Sequence, residues 1–357
     1  VNVNPMVVHV AESFASGTAS AIADFVRNYP DAEHHLVYSL RAEAVVAPTE
    51  FDGFTSAIEM PAGTVARIRF LRDRLRSMEH AADGVVIVHA HSSKAGGYVR
   101  MAVRRSRRRP LLYTPHCYAF ERQDVSWPVR QAFRALEWVL SFNTTAVGAC
   151  SPREARLSRW AASSPRVVTV PNVQPPDLPK AEPSGQNRRL RVVGNGRLGP
   201  QKDPEFFARA FAAAVASHPD IEGVWIGGGE NQYIDMLHEA GVEVTGWLPR
   251  QEALDIMATC DLYLHTALWE GFPISIMEAA GMGMPVVSRR RPYLAGVDMP
   301  VIIDAPEDLT AAVGELLDVK RLDRARRDTV AALSRNSDSH QAEALEQLYG
   351  PLVGASR

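Results

Sequence analysis

Glu270 and Glu278 stand eight positions apart in LWEGFPISIME (268–278), around a Gly-Phe-Pro turn, and an Ala/Gly/Met-rich run follows the second. Two carboxylates with so little polar company are suited to gripping hydroxyl groups. The apolar run DLYLHT before them reads as a strand, and a helix is expected to begin near Ser275. A helix start leaves backbone N–H groups free and binds phosphate. Glu278 is expected in the first turn of that helix, where it could accept hydrogen bonds from a pair of ribose hydroxyls; capping and dipole stabilisation is its plain alternative. Glu270 lies before the turn, where capping explains less, and is the better candidate for direct contact with a sugar.

A second group lies in VVGNGRLGPQKDPEFFARAF, where Gly194, Gly196 and Gly199 fall in a GxGxxG spacing after a strand. A dinucleotide fingerprint needs its last glycine inside the helix that the loop opens. Here Pro200 follows at once, and the helix is expected to start at Asp203-Pro204, with the Asp as cap and the Pro in the first turn. That argues against NAD. What remains is a loop whose glycines let backbone approach a ligand and whose Arg197 and Lys202 suit a diphosphate. For a lone cation the alternative is a solvated loop charge.

The elements that must hold these groups alternate along the chain. MVVHVA, HHLVYSL, VVIVHAH, LLYTPH, TAVGAC and RVVTVP read as buried strands in the first half. RVVGNG, GVWIGGG, VEVTGW, DLYLHT, MPVVSR and VIID read so in the second. Near-continuous apolar strands separated by helices predict parallel sheets covered on both faces. At 357 residues the chain is long for one core, and two doubly wound α/β domains are expected. The Pro-rich, polar stretch PNVQPPDLPKAEPSGQNRR marks the boundary. The expected organisation is a first domain at 1–175, a linker at 176–188, a second domain at 189–335 and a C-terminal helix at 336–357. Ligands of open α/β sheets bind beyond the carboxyl ends of the strands, where these motifs fall.

In that order and on those elements, Arg197, Lys202 and the Glu270/Glu278 pair resemble the retaining GT4-type glycosyltransferases of the GT-B fold. The resemblance is strongest over 190–290, in NGRLGPQKDPEFFARAF, GGGE, VTGWLPRQE and EGFPISIMEAAGMGMPVV. In the first half it rests on HAHSSKAG, YTPHCYAF and the Ser16-Gly17-Thr18 turn. It implies two Rossmann-like domains facing each other across a cleft, the first binding the acceptor and the second a nucleotide sugar. It also implies roles: Arg197 and Lys202 on the donor diphosphate, Glu278 on the ribose, and Glu270 with the Gly271-Phe272-Pro273-Ile274 turn on the donor sugar and its phosphate. Trp247 and Leu248, in GWLPR, would lie at the base. His116 would lie near the donor sugar, and Gly17 would let the first loop approach the diphosphate. Glu270, His116, Arg197 and Lys202 form the expected catalytic set. The implied C-terminal helix crosses back onto the first domain.

No Asp-x-Asp occurs in the chain, so the carboxylate pair that commonly holds a metal on a sugar-nucleotide diphosphate is missing. Cations and a helix end can stabilise the leaving diphosphate instead, and metal-independent transfer with no cofactor is expected. A double displacement needs a carboxylate about 5 Å from its partner, and the resemblance supplies none; front-face transfer with retention is expected. The sequence departs from the family in offering one glycine at Ser16-Gly17-Thr18. It departs again in placing Arg289-Arg290-Arg291 after a strand, where they would bind an anionic group or stand solvated.

The net charge of -2 conceals a split. Residues 1–180 hold 22 Lys+Arg against 16 Asp+Glu, a balance of +6, and residues 181–357 hold 17 against 25, a balance of -8. Six arginines fall between Arg100 and Arg109, with Arg104, Arg105, Arg107, Arg108 and Arg109 the candidates for an acceptor or membrane surface. Arg69, Arg72 and Arg76 line one face of a helix whose Ile68, Leu71 and Leu75 suit packing. Such clusters attract anionic lipid; no nucleic-acid module accompanies them.

A UDP-sugar is the favoured donor, by resemblance, and a glycan, lipid-linked or small-molecule acceptor is expected, in polysaccharide or glycoconjugate synthesis. A nucleotide-sugar epimerase and a non-catalytic nucleotide-sugar-binding protein are the alternatives. Three scattered cysteines, Cys117, Cys150 and Cys260, and the lack of a basic leader or long apolar run favour the cytoplasm, with contact at the inner face of the membrane.

Overall fold

The apolar runs become parallel strands in two separate sheets. The computed structural model describes residues 5–40, 46, 48–181 and 189–354. The chain divides into one unit of Val1–Val173 with Asn336–Arg357 and another of Gln174–Arg335.

The first unit runs β1 (Met6–Ala11), α1 (Ser16–Arg27), β2 (Glu33–Tyr38), β3 (Ser56–Glu59), α2 (Thr64–Ala81), β4 (Val86–His91), α3 (Ser93–Ala102), β5 (Leu111–Thr114), α4 (Trp127–Ser141), β6 (Ala146–Ala149), α5 (Pro152–Leu157) and β7 (Arg166–Thr169). The sheet order is β3-β2-β1-β4-β5-β6-β7, so the chain reverses direction across the sheet between β1 and β4. Every residue of β4, β5 and β6 is buried, which is why each reads as an unbroken apolar run. Strand β3 alternates half-buried and exposed residues at the sheet edge; its four residues, SAIE, carry too little apolar pattern to be read beforehand.

The second unit runs β8 (Leu190–Asn195), α6 (Pro204–Ser217), β9 (Ile221–Ile226), α7 (Asn231–Glu239), β10 (Val242–Val244), α8 (Arg250–Ala258), β11 (Leu262–His265), α9 (Ile274–Met282), β12 (Val286–Arg289), β13 (Val301–Ile303), α10 (Asp308–Leu316) and α11 (Val319–Ala332). Its sheet order is β10-β9-β8-β11-β12-β13, with the reversal between β8 and β11. Phe207, Phe211 and Trp225 fill the core between α6 and the sheet.

The last helix, α12 (Asp338–Gly354), belongs to the first unit. Leu345, Leu348 and Tyr349 pack among Val7, Phe25, Ile87 and Leu112. Asp338 accepts hydrogen bonds from Arg27 and Asn28, each at 2.8 Å. The expected linker falls within the second unit's range, and its residues 182–188 lie outside the described ones. Before that gap, Ala181 and Lys180 bond the carbonyls of Met282 and Gly281 at 2.9 and 3.0 Å.

Candidate functional site

In the second unit the glycine loop after β8, the GGGE loop after β9 and the β11–α9 turn meet at the carboxyl ends of the central strands. Leu198 donates its N–H to Gly228 O at 2.8 Å and accepts from Glu230 N at 3.2 Å, tying the first two loops together. The approach is close: a Cβ on Gly227 would lie 2.4 Å from Gly196 O, and Gly227 has φ +132°. Helix α6 begins at Pro204, and Asp203 caps it by accepting from Phe206 N. Gly199 is therefore outside the helix, and the dinucleotide geometry is absent from this loop.

The same loop is fastened to the β11–α9 turn. Thr266 Oγ1 donates to Lys202 O at 2.6 Å, Leu268 N to Gln201 O at 2.8 Å, and Gln201 Nε2 to Trp269 O at 3.0 Å. Within this frame Lys202 Nζ donates to Glu270 Oε1 at 2.6 Å. Both side chains are largely buried, so removal of either leaves the other an uncompensated charge.

Glu278 corrects one expectation. Helix α9 begins at Ile274, next to the expected Ser275, with Pro273 as its cap and no acidic residue in its first turn. Glu278 is the fifth residue and lies in the second turn, which removes N-terminal capping as its role. The residue is 5% exposed, and its carboxylate lies 2.7 Å from Arg250 Nη2 at the start of α8. Burial raises the Glu278 carboxyl above its ordinary range, against the lowering pull of Arg250 and Lys202. Arg250 is a functional candidate that sequence reasoning passed over. It sits in the quoted VTGWLPRQE, but only the fold shows that it reaches a glutamate 28 positions on.

The other expected donor contacts are placed on these loops. Arg197 is exposed on the β8–α6 loop; Leu248 is half-buried; Gly271, Phe272, Pro273 and Ile274 are buried. Trp247 is 46% exposed, and its indole lies over Gly228, where a Cβ would approach it to 3.0 Å. Beneath α9, Tyr263 donates to Ser275 or Asn195, at 2.8 and 2.9 Å. The arginine triplet is partly structural: Arg289 pairs with Asp203 at 2.5 Å and stacks on Phe206, and Arg290 pairs with Asp304 at 2.8 Å.

In the first unit His116 follows β5 in a left-handed backbone conformation, φ 48°, and Cys117 after it has φ 94°. Two such non-glycine residues in succession cost about 1–3 kcal/mol each, so the surrounding structure must hold the turn. The buried Glu154 holds this one by accepting from Cys117 N and Cys150 N, both at 2.8 Å. Burial lowers the His116 imidazole to about 4. Gly17 is the second residue of α1, so the expected turn is a helix start.

The arginine cluster separates. Arg100 is buried, paired with Glu137 at 2.8 Å and set over the Tyr113 ring. Arg109 pairs with Glu79. Arg104, Arg105, Arg107 and Arg108 are exposed. On α2, Leu71, Leu75 and Met78 face the core while Arg69 and Arg76 are exposed; Arg72 bonds Ala102 O at 3.3 Å.

Residues 189–319 match the family described as "Glycosyl transferases group 1" and residues 16–173 the family "Glycosyl transferase 4-like domain". The chain is 29% identical over 224 residues to a UDP-Gal:alpha-D-GlcNAc-diphosphoundecaprenol alpha-1,3-galactosyltransferase of Escherichia coli, a match covering 56% of this chain and 57% of that one. It is 27% identical over 150 residues to the phosphatidylinositol N-acetylglucosaminyltransferase GPI3 subunit of Saccharomyces cerevisiae, covering 38% of this chain and 33% of that one. The chain thus spans between a third and about 57% of these relatives. Among solved structures, the Anabaena protein HepE in complex with UDP and glucose superposes with a TM-score of 0.75 at 20% identity, over 97% of this chain and 98% of that one. The sucrose-phosphate synthase of Thermosynechococcus elongatus gives 0.75 at 15%, over 98% and 100%. Among the described residues, no helix is long and apolar enough to cross a membrane.

Proposed function

From the premise that the chain belongs to the GT4-type glycosyltransferases of the GT-B fold, we propose that it moves a sugar from a UDP-sugar to a lipid-linked or glycan acceptor, with retention and without a metal. The observation that carries this reading is the pairing of Lys202 with Glu270 and of Arg250 with Glu278 at the carboxyl ends of the central strands, next to the point where the sheet order reverses. Each pair offers a carboxylate for hydroxyls and a cation for phosphate. Lys202 and Arg197 are proposed to stabilise the leaving diphosphate, the charge that develops in the transition state. Glu278 and Arg250 are proposed to hold the nucleoside, with Trp247 and Leu248 at its base. Glu270 and the Gly271–Ile274 turn are proposed for the donor sugar, and Gly17 and His116 for contacts from the first unit. The commitment of Glu270 to Lys202 at 2.6 Å favours front-face transfer over attack by this carboxylate.

A lipid-linked acceptor is supported by the name of the Escherichia coli relative, a GlcNAc-diphosphoundecaprenol galactosyltransferase, and by helix α4. Val129, Leu136 and Val139 are exposed on one stripe of α4, with Trp127, Trp138 and Phe142 exposed beside it. Asn143, one residue past Phe142, accepts from Arg105 N at 2.8 Å, which brings the exposed arginines alongside. An apolar stripe edged by arginines suits the surface of an anionic bilayer.

The test is calorimetric titration with UDP, GDP and their sugar conjugates, first with EDTA and then with magnesium. It is followed by incubation with UDP-galactose and a GlcNAc-diphospholipid. EDTA-insensitive binding of UDP and an α-linked disaccharide product are expected. Absence of binding to every nucleotide would overturn the site, magnesium-dependent turnover the metal-free reading, and an isomerised nucleotide sugar without transfer would make the protein an epimerase.

A further inference from the structure

Four histidines of the first unit form a head-to-tail chain across β2, β1, β4 and the turn after β5. His34 Nε2 lies 2.8 Å from Tyr29 O; His9 Nε2 lies 3.0 Å from His34 Nδ1; His91 Nε2 lies 3.0 Å from His9 Nδ1; and His116 Nε2 lies 3.1 Å from His91 Nδ1. The rings follow one another at centroid separations of 5.2, 5.2 and 5.3 Å. His9 and His91 are fully buried and His34 is 2% exposed.

The polarity of this chain is fixed at one end. A carbonyl oxygen only accepts, so the proton of His34 is on Nε2. A neutral imidazole carries one N–H, so His34 Nδ1 is a lone pair and accepts from His9 Nε2–H. The same step repeats from His9 to His91 and from His91 to His116. Burial lowers all four imidazoles, which keeps them neutral at pH 7. Each link removes one freedom, and the last residue inherits the result.

We propose that His34, His9 and His91 are positioning residues that hold His116 in a single tautomer, its proton on Nε2, so that the Nδ1 lone pair accepts a hydrogen bond from a substrate hydroxyl. The hydroxyl half of this inference rests on the glycosyltransfer reading; the tautomer half does not. Since the far end is a carbonyl that takes no proton, the chain offers no relay for one, and the role assigned to His116 is that of a hydrogen-bond acceptor.

His9, His89 and His91 also bring their ligand atoms within 4.8 Å of one another, close enough for a metal ion. Both nitrogens of His9 and of His91 are taken up by the chain, and His89 bonds Tyr349 Oη at 2.7 Å and Thr114 Oγ1 at 2.8 Å. Hydrogen bonds account for all three rings, and a metal would have to break them.

The experiment is a long-range proton–nitrogen NMR spectrum of the full chain labelled with 15N-histidine, with signals assigned through His116→Gln and His34→Phe. All four rings are expected as neutral Nε2–H tautomers at pH 7. An Nδ1–H, averaged or cationic His116 would overturn the inference, and so would movement of the His9, His89 and His91 signals on adding zinc. In His34→Phe the fixed end is gone, so His116 is expected to average both tautomers, and donor KM to rise about twofold or more, by the fraction of molecules in the wrong tautomer, with turnover at saturating donor nearly unchanged. A His116 still purely Nε2–H there would overturn the relay; if that variant does not fold, the unsubstituted protein's spectrum decides. On adding UDP-galactose or UDP-glucose, the His116 Nδ1 signal alone is expected to shift. Binding without that shift would overturn the hydroxyl half, whereas the expected tautomers with no sugar transfer would overturn the glycosyltransfer reading and leave the relay standing.

Discussion

A carboxylate at the proposed donor site has two states, paired with a cation of its own chain or turned to a ligand. Glu270 and Glu278 are both in the first, at 2.6 Å from Lys202 and 2.7 Å from Arg250. Their burial differs in consequence. Glu278 sits on a helix and is 5% exposed, so replacing it frees Arg250 and removes the contact proposed for a bound ribose. Glu278→Ala is expected to weaken UDP binding by roughly 1–3 kcal/mol, the worth of a hydrogen bond to a charged group. Glu270 sits before the turn, beside the proposed sugar position. Glu270→Gln, which keeps the shape and a partner for Lys202, is expected to lower turnover at least tenfold, on the order of a lost transition-state contact, with UDP affinity nearly unchanged. Calorimetry with UDP beside initial rates separates the two, and equal losses of UDP affinity in both variants would contradict the division.

The elements hold these residues through backbone contacts that tolerate no added atom. In Gly227→Ala the new Cβ would meet Gly196 O at 2.4 Å in a left-handed conformation, so the β8–α6 and β9–α7 loops must part. A stability loss of about 1–3 kcal/mol is expected from the overpacking, with a weaker grip on UDP, since Lys202 rides on the displaced loop. Denaturant unfolding and UDP titration of the same variant check this, and wild-type affinity would show that the loops are held by something else. At this scale the sequence was most legible. Continuous apolar runs such as VVIVHAH announced buried parallel strands, and Asp203-Pro204 announced the start of α6, because both signals are local. The partners were not legible: Arg250 meets Glu278, and His9 meets His34 and His91, only once strands distant in sequence are laid side by side. The helix start near Ser275 was legible, but Glu278 falls in the second turn of a helix that begins at Ile274, where Pro273 caps it without a side-chain hydrogen bond.

For the whole molecule, the buried imidazoles set the acid limit of stability. His9, His34, His35, His89, His91 and His116 in the first unit and His265 in the second are all lowered by burial, His89 to about 3 and His116 to about 4. The unfolded chain binds a proton at each near pH 6.5 while the folded chain does not, so stability is fully present above about pH 6.5 and is lost as pH falls toward the folded values. Each imidazole adds up to about 1.4 kcal/mol of loss per pH unit within that window. Glu154 and Glu278 oppose the trend, because burial raises their carboxyls and acidification relieves them; two groups set against seven do not reverse it. A domain's stability of about 5–15 kcal/mol is then consumed within two to three pH units, as an estimate from the same slope. Urea midpoints measured at pH 8, 7, 6 and 5 are expected to be level between 8 and 7 and to fall steeply below 6.5. A midpoint unchanged down to pH 5 would mean that these rings take up protons while folded, and that burial does not hold them below their ordinary range.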